Sequence, residues 1–273
     1  MSRGAQGAQE PAFEALLDEI ATNHGFRCDA YKEGCIRRRI GVRMRARAVH
    51  SYDAYVALLR RDPAESRRLL DALTIHVSRF YRNPETWDVI VATVLPELWR
   101  SRAGALRCWS AGCAAGEEPH TLAMLLLERA RPDRWPTPQR IIDATDYDAA
   151  SLERAALGSY PRAAIKDLPT RLTRRFVEGQ DPVVLAPEVR RLIRLARHDL
   201  TREPPPAPPY DLVLCRNVVI YFDTPTQERI ASLLTDALAP GGYLVLGKVE
   251  TIRGEARARL VLEHPRERIY RRR

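Results

Sequence analysis

The sequence has neither the pattern of a metal site nor that of a disulfide framework. Its five cysteines, Cys28, Cys35, Cys108, Cys113 and Cys215, form no Cys-x-x-Cys pair, and no histidine stands at metal-ligand spacing, so no metal is expected. Their odd number argues against complete pairing. Cys108 and Cys215 lie in apolar, strand-like runs, where a buried free thiol is the ordinary state. A reducing cytoplasm fits this usage. No apolar run approaches the ~20 residues needed to cross a bilayer, so no direct membrane insertion is expected. Residues 1–10 are polar, lack the apolar core of a secretory signal, and are expected to form a disordered lead. There is no internal repeat and no long low-complexity tract.

The 273 residues, 45% of them hydrophobic, suffice for one α/β core plus a smaller domain of roughly 50–100 residues. Lys and Arg total 44 against 35 Asp and Glu, a net charge of +9, which favours an acidic partner. On charge alone, nucleic acid, an anionic membrane and an acidic protein surface all stay open. Hydrophobic spacing predicts helices from Phe13 to about Thr74, among them an arginine-dense helix over 31–46, a third helix over 51–59 with Ser51 as its N-cap, and a fourth opened by Pro63. The expected organisation is a lead over 1–10, a helical domain over 11–75 and an α/β domain over 76–273. In the second part strands are predicted at 106–110, 141–145, 192–196, 210–215 and 243–247. Helices at 119–130, 149–156 and 225–238 alternate with them, the last closed by Pro240, Gly241 and Gly242. Such alternation predicts a mostly parallel sheet covered on both faces. Residues 261–263 and 269–271 read as a terminal hairpin. About 160–190 is too long for a βα loop and reads as a small inserted subdomain, with a short strand at 183–185.

The segment WSAGCAAGEEP (109–119) joins a strand to a helix through Gly112 and Gly116. Glycines there admit close approach of a ligand, or simply make a tight turn. Glu117 and Glu118 would repel a pyrophosphate but suit a cationic ligand such as S-adenosylmethionine; an acidic first helical turn is the plainer reading. ATDYD (144–148) follows at the right separation, and Asp146 at the end of the second strand is placed either for ribose hydroxyls or as a helix cap.

These motifs, with LCRNVVIYFD (214–223), LAPGGYLVLG (238–247) and RFYRNPETW (79–87), resemble the CheR family of chemotaxis receptor methyltransferases over nearly the whole chain. The resemblance implies an N-terminal all-α domain. It also implies a doubly wound, Rossmann-like methyltransferase sheet with an antiparallel terminal strand and a small inserted β-subdomain. It further implies binding of S-adenosylmethionine, with S-adenosylhomocysteine as product. It assigns cofactor contacts to His76, Ser78 and Arg82, where His76 stands in place of the family's Asn. Gly112, Glu117, Glu118, Asp146, Asp199, Leu200, Arg216 and Asn217 complete the implied cofactor set. Lys248 stands where the family has a small residue.

The implied reaction is methyl esterification of glutamate side chains on the helical, glutamate-rich cytoplasmic domain of a chemoreceptor. A glutamate carboxylate, with a reference pKa near ~4.3, is already anionic at neutral pH, so no general base is needed. Arg82 is the expected clamp for that carboxylate and Tyr221 the donor to its second oxygen. Arg37, Arg38, Arg39, Arg43, Arg45 and Arg47 form the implied receptor-docking face, against the alternative of a solvated basic surface. A monomer without a nucleic-acid partner is expected. Amino-methylating nucleic-acid enzymes carry an (Asp/Asn)-Pro-Pro-(Tyr/Phe) motif after the fourth strand, whereas here Pro208-Pro209-Tyr210 precedes it. A non-catalytic cofactor sensor is the other rival.

Overall fold

A computed structural model describes residues 3–74, 78–101, 106–130 and 141–273. His76 lies outside the described residues. The chain forms two compact units, one from the described residues of 1–75 with Tyr221–Thr226, the other from those of 76–220 with Gln227–Arg273.

The first unit carries helices α1 (Arg3–His24), α2 (Glu33–Ala46), α3 (Tyr52–Arg61) and α4 (Pro63–Leu73). Phe13, Leu16 and Ile20 of α1 and Ile36, Ile40 and Met44 of α2 are buried at helical spacing. Ser51 caps α3 by accepting from the Ala54 N–H, as expected. Asp62 caps α4 through the Ala64 and Glu65 N–H groups, with Pro63 in the first turn. One expectation changes: α1 begins at Arg3, inside the segment read as a lead. Its polar composition hid a tertiary partner, since Glu10 is ion-paired with Arg37 on α2. Residues 221–226 fold back onto this unit. The Lys32 N–H donates to the Tyr221 carbonyl at 2.9 Å, the Asp223 N–H to the Ala30 carbonyl at 3.0 Å, and the Tyr31 and Phe222 rings lie 4.8 Å apart.

The second unit opens with α5 (Pro84–Val89) and α6 (Leu95–Ser101), joined by a π-helical turn. Then come β1 (Cys108–Ala111), α7 (Glu117–Arg129), β2 (Ile142–Asp146) and α8 (Ala149–Leu157). The insertion holds β3 (Ser159–Tyr160), α9 (Thr170–Phe176), β4 (Val177–Glu178), β5 (Val183–Leu185) and α10 (Pro187–Arg191). After it run β6 (Ile193–Arg197), β7 (Tyr210–Cys215), α11 (Thr224–Ala237, whose first turn falls in the helical unit), β8 (Leu238–Leu246), β9 (Leu260–His264) and β10 (Ile269–Arg272). The main sheet has the order β6-β2-β1-β7-β8-β10-β9; the insertion forms an antiparallel sheet, β3-β5-β4. From β6 to β8 all neighbours are parallel, and β10 runs antiparallel to both β8 and β9. β7 is buried at every position, as a strand covered on both faces must be. The last parallel strand is longer than its sequence suggests. It starts at Leu238 and takes up Pro240, Gly241 and Gly242 in a register shift against β7 rather than in a free turn. Trp109 stacks on Tyr210 at 5.6 Å and donates its Nε1–H to the Thr145 hydroxyl at 2.9 Å. The Tyr210 hydroxyl donates to Asp143, which also receives the Arg194 Nε–H, so a polar chain ties β7, β2 and β6 together, and Trp109 joins β1 to it through its stack on Tyr210 and its bond to Thr145. The chain leaves β1 toward β2 and later returns on the other side as β7. Their carboxyl ends therefore open the crevice where ligands bind in such sheets. Among the described residues no helix is long and apolar enough to cross a membrane.

Glu65 is the polar anchor of the helical unit. Its carboxylate is wholly buried, takes two hydrogen bonds from Arg43 at 3.0 and 2.6 Å, and accepts the Tyr55 hydroxyl at 2.9 Å. Burial pushes this carboxyl up, but the Arg43 and Tyr55 hydrogen bonds and the Arg43 and Arg47 charges outweigh it and hold it below the ordinary 4.5. A depressed carboxyl gives stability that is complete above 4.5 and lost as pH falls through the lower folded value. Glu65→Ala is expected to cost about 3–5 kcal/mol, because it strands a half-buried guanidinium. Hydrogen exchange in α2 and α4 reads this, and the acid-dependent part of that protection should vanish in the variant.

Candidate active site

Five loops meet at the carboxyl edge of the parallel strands. They follow β1 at Gly112, β2 at Asp146, β6 at His198, β7 at Arg216 and β8 at Gly247. The β1 loop is fixed by its backbone. Gly112 has φ +75°, and a Cβ there would stand 2.5 Å from Val218 Cγ2; Gly116, at φ +93°, is pressed against Ala155. Gly112 and Cys113 donate their N–H groups to the Thr145 carbonyl at 2.8 and 2.9 Å. Asp146 accepts from the Ala114 N–H at 2.8 Å and the Asp148 N–H at 3.0 Å, so it clasps the glycine loop. Asp148, not Asp146, caps the following helix, through the Ser151 N–H. From the inserted sheet, the Tyr160 hydroxyl donates to the Ala115 carbonyl at 2.7 Å. His120 lies 2.7 Å from the Gly116 carbonyl, and burial lowers its pKa to about 4, so the ring is neutral near pH 7.

At the centre is an ion pair. Arg216, with 2% of its side chain exposed, lies 3.3 Å from a Glu118 oxygen; the other oxygen of Glu118 accepts the Ser110 hydroxyl at 2.8 Å. Arg216 also donates to the Arg82 carbonyl at 2.6 Å and to Asn83 Oδ1 at 3.1 Å, and its guanidinium lies 5.3 Å from the Trp87 ring centre. Burial raises the Glu118 pKa, opposed by the Arg216 charge, and lowers that of Arg216, opposed by Glu118. Arg82 stands between two non-glycine residues in the left-handed region, Tyr81 at φ 54° and Asn83 at φ 58°. Such residues cost about 1–3 kcal/mol each and persist only where their surroundings hold them. Here the Tyr81 N–H is bonded to Thr121, its hydroxyl to Asp88, and Asn83 to Arg216.

Among the buried polar atoms without a partner are Glu117 Oε2, Arg216 Nε and Asn217 Oδ1, alongside His198 Nδ1 after β6 and Trp87 Nε1 on the ring beside Arg216. Burial also raises the Glu117 pKa, against the hydrogen bond it receives from Ser78. Two orphan acceptors and one orphan cationic donor complement a zwitterion with an ammonium and a carboxylate, the amino-acid end of S-adenosylmethionine. The carboxylates of Glu117 and Glu118 open α7, where a phosphate-binding protein would leave bare N–H groups. The residues therefore fit a cationic methyl donor and disfavour a nucleotide pyrophosphate.

The chain matches the family models described as "CheR methyltransferase, SAM binding domain" over residues 76–267 and "CheR methyltransferase, all-alpha domain" over residues 11–74. The chain belongs to the CheR methyltransferase family. It is 35% identical over 223 residues to a chemotaxis protein methyltransferase of Listeria innocua, covering 81% of this chain and 83% of that one. It is 32% identical over 246 residues to a chemotaxis protein methyltransferase of Klebsiella aerogenes, covering 87% and 82%. An uncharacterised 104.1 kDa protein of Rhodobacter capsulatus is 39% identical over 226 residues, 81% of this chain but 23% of that protein's length.

In this CheR chain the crevice brings together Ser78, Gly112, Glu117, Glu118, Asp146, Arg216 and Asn217, with the Arg82 backbone tied in through Arg216. Asp199 and Leu200 sit just beyond β6. The Asp199 carboxylate accepts from the Thr201 N–H and hydroxyl, and Leu200 is buried. Lys248, unexplained in the sequence, forms ion pairs with Glu85 at 3.0 Å and Glu267 at 3.5 Å. Tyr221 lies in the helical unit, its ring 5.7 Å from the Arg39 guanidinium. Of the arginines on α2 and at its C-cap, Arg37 pairs with Glu10 and Glu33, Arg39 donates to the Ala72 carbonyl, Arg43 holds Glu65 and Arg47 meets Asp62. Arg38 and Arg45 are exposed, and among the described residues neither forms an ion pair. Glu250, which is not among the expected site residues, accepts from three backbone N–H groups. Nothing in the local sequence sets it apart from a surface glutamate.

Arg216→Ala would leave Glu118 buried without its cation. The expected cost is about 3–5 kcal/mol, read from urea denaturation of the whole chain. A variant as stable as the parent would remove the pair from the site's framework.

Proposed function

We propose that the protein transfers a methyl group from S-adenosylmethionine to glutamate side chains of a chemoreceptor's helical, glutamate-rich cytoplasmic domain. The products are S-adenosylhomocysteine and a glutamate methyl ester. The observation that carries the reading is the set of orphan polar atoms on Glu117, Arg216 and Asn217, beside the Glu118–Arg216 pair. Glu117 and Asn217 would accept from the ammonium of the donor's amino-acid end, and Arg216 would meet its carboxylate. Asp146 would serve the ribose hydroxyls, and Asp199 and Leu200 the adenine. Gly112 would allow close approach, with Ser78 supporting Glu117; His76 keeps only the contact that the resemblance implies.

When bound, the cofactor supplies an electrophilic methyl on a sulfonium. The receptor carboxylate forms the new C–O bond, the C–S electron pair stays on sulfur as a neutral thioether, and no proton moves. What remains for the protein is to orient the carboxylate and exclude water, which accounts for several kcal/mol of such a barrier, with ~7–11 as an upper range. Arg82 is the proposed clamp, since a guanidinium meets a carboxylate bidentately. It orients rather than activates, because tight pairing would blunt the nucleophile. Tyr221 keeps only the role that the resemblance implies, donor to the second oxygen. Receptor docking is assigned to Arg38 and Arg45, because Arg37, Arg39, Arg43 and Arg47 are engaged within the helical unit. The protein is proposed to act as a cytoplasmic monomer.

Incubation with methyl-labelled S-adenosylmethionine and a receptor fragment is expected to give base-labile label on the fragment. Label on DNA, or cofactor binding without transfer, would overturn the reading. Arg82→Ala is expected to lower turnover about a hundredfold while cofactor binding, read by calorimetry, changes little; an unchanged rate removes Arg82 from the mechanism.

Reversing both Arg38 and Arg45 to Glu should raise the KM for receptor in a salt-sensitive way and leave the melting temperature in place. Normal receptor KM in that double variant would put the docking surface elsewhere.

A further inference from the structure

We infer that Glu250 is a positioning residue for the methyl-donor site: its carboxylate holds the 216–220 loop so that the Asn217 side chain meets the bound donor. The inference rests on the proposed reading of the crevice as an S-adenosylmethionine site. Glu250 follows β8 and is 3% exposed. Among the described residues it makes no ion pair. Backbone donors meet its charge instead: Oε2 accepts from the Gly247 N–H at 2.6 Å and the Asn217 N–H at 2.8 Å, and Oε1 accepts from the Ile220 N–H at 3.2 Å. One side chain thus fastens the β7 loop at two points and joins it to the β8 loop.

The fastening acts on an unusual residue. Asn217 has φ 62°, so its backbone is in the left-handed region, and its anchored N–H holds it there. A Cβ on Gly247 would lie 2.7 Å from Glu250 Oε2 and 2.9 Å from Asn217 Nδ2, so the amide nitrogen is packed against this turn. The other end of that amide, Oδ1, is buried and has no partner. A buried carboxylate that makes no ion pair, though the Arg216 charge acts on it, is costly to keep, and so is an orphan carbonyl oxygen. Both costs are offset together if the carboxylate exists to aim that oxygen at a donor-bearing ligand. Glutamine has the same shape but only one accepting oxygen. In Glu250→Gln at least one of the three N–H groups would face an amide NH2, and the loop would lose its fixed position.

The test is a double-mutant cycle on the full chain. Wild type, E250Q, N217A and the double variant are titrated with S-adenosylmethionine by calorimetry. Each single variant is expected to bind about ten- to a hundredfold more weakly. The double variant should bind like N217A alone, since the two act through one contact. A glutamate that merely supported the fold would weaken binding independently of Asn217, and the losses would add. Full additivity, or wild-type affinity in E250Q, overturns the inference and leaves the proposed function standing. Failure of the wild type to bind S-adenosylmethionine overturns both. If E250Q does not fold, hydrogen exchange on the wild type without cofactor decides: amides 217, 220 and 247 are expected to be protected, and free exchange there overturns the assignment.

Discussion

A guanidinium with 2% of its side chain exposed cannot sit in a protein interior without a counter-charge, and Arg216 finds it in Glu118. The pair unites three separate stretches of chain. Glu118 stands at the start of α7, Arg216 follows β7, and the Arg82 carbonyl and Asn83 side chain close the remaining sides of the guanidinium. Each stretch also has bonds of its own, Tyr81 to Thr121 of α7 and the β7 loop to Glu250, but Arg216 is the one group that touches all three among the described hydrogen bonds. The pair also sets the charge at the start of α7. A helix start that would otherwise attract an anion is occupied by carboxylates, one neutralised by Arg216 and the other, Glu117, left with an unpaired oxygen.

How far the site could be read in advance depended on how local each constraint is. Gly112, Gly116 and Asp146 were legible because a strand-turn-helix with close backbone approach permits few residue types, and the next strand end falls at a fixed separation. The helix-cap alternative for Asp146 was settled only by geometry, which gives that role to Asp148. Glu250 and Lys248 were illegible because their partners are remote in sequence. Glu250 reaches back to Asn217 and Ile220, and Lys248 to Glu85, and no local pattern encodes such meetings.

The arginines on α2 and at its C-cap are an intermediate case. Ile36, Ile40 and Met44 mark the buried stripe; Arg37, Arg39, Arg43 and Arg47 flank it and turn to partners inside the unit, while Arg38 and Arg45 face away. Helical periodicity held that division, but residue type alone suggested six equivalent cations. Residues 3–10 differ in the opposite direction: their polar composition resembled a free lead, yet α1 runs through them and Glu10 is ion-paired with Arg37.

The return of Tyr221–Thr226 to the N-terminal helices has a bearing on how such proteins can be rearranged. The linear sequence offers an obvious cut near residue 75, as though the helices were a detachable module. A chain severed there would leave Phe222 without the Tyr31 ring, and the Tyr221 carbonyl and Asp223 N–H without Lys32 and Ala30. Exchange of the helical part between relatives by a single crossover would therefore carry a mismatched six-residue patch. Shuffling that respects the fold must move two discontinuous pieces of chain at once.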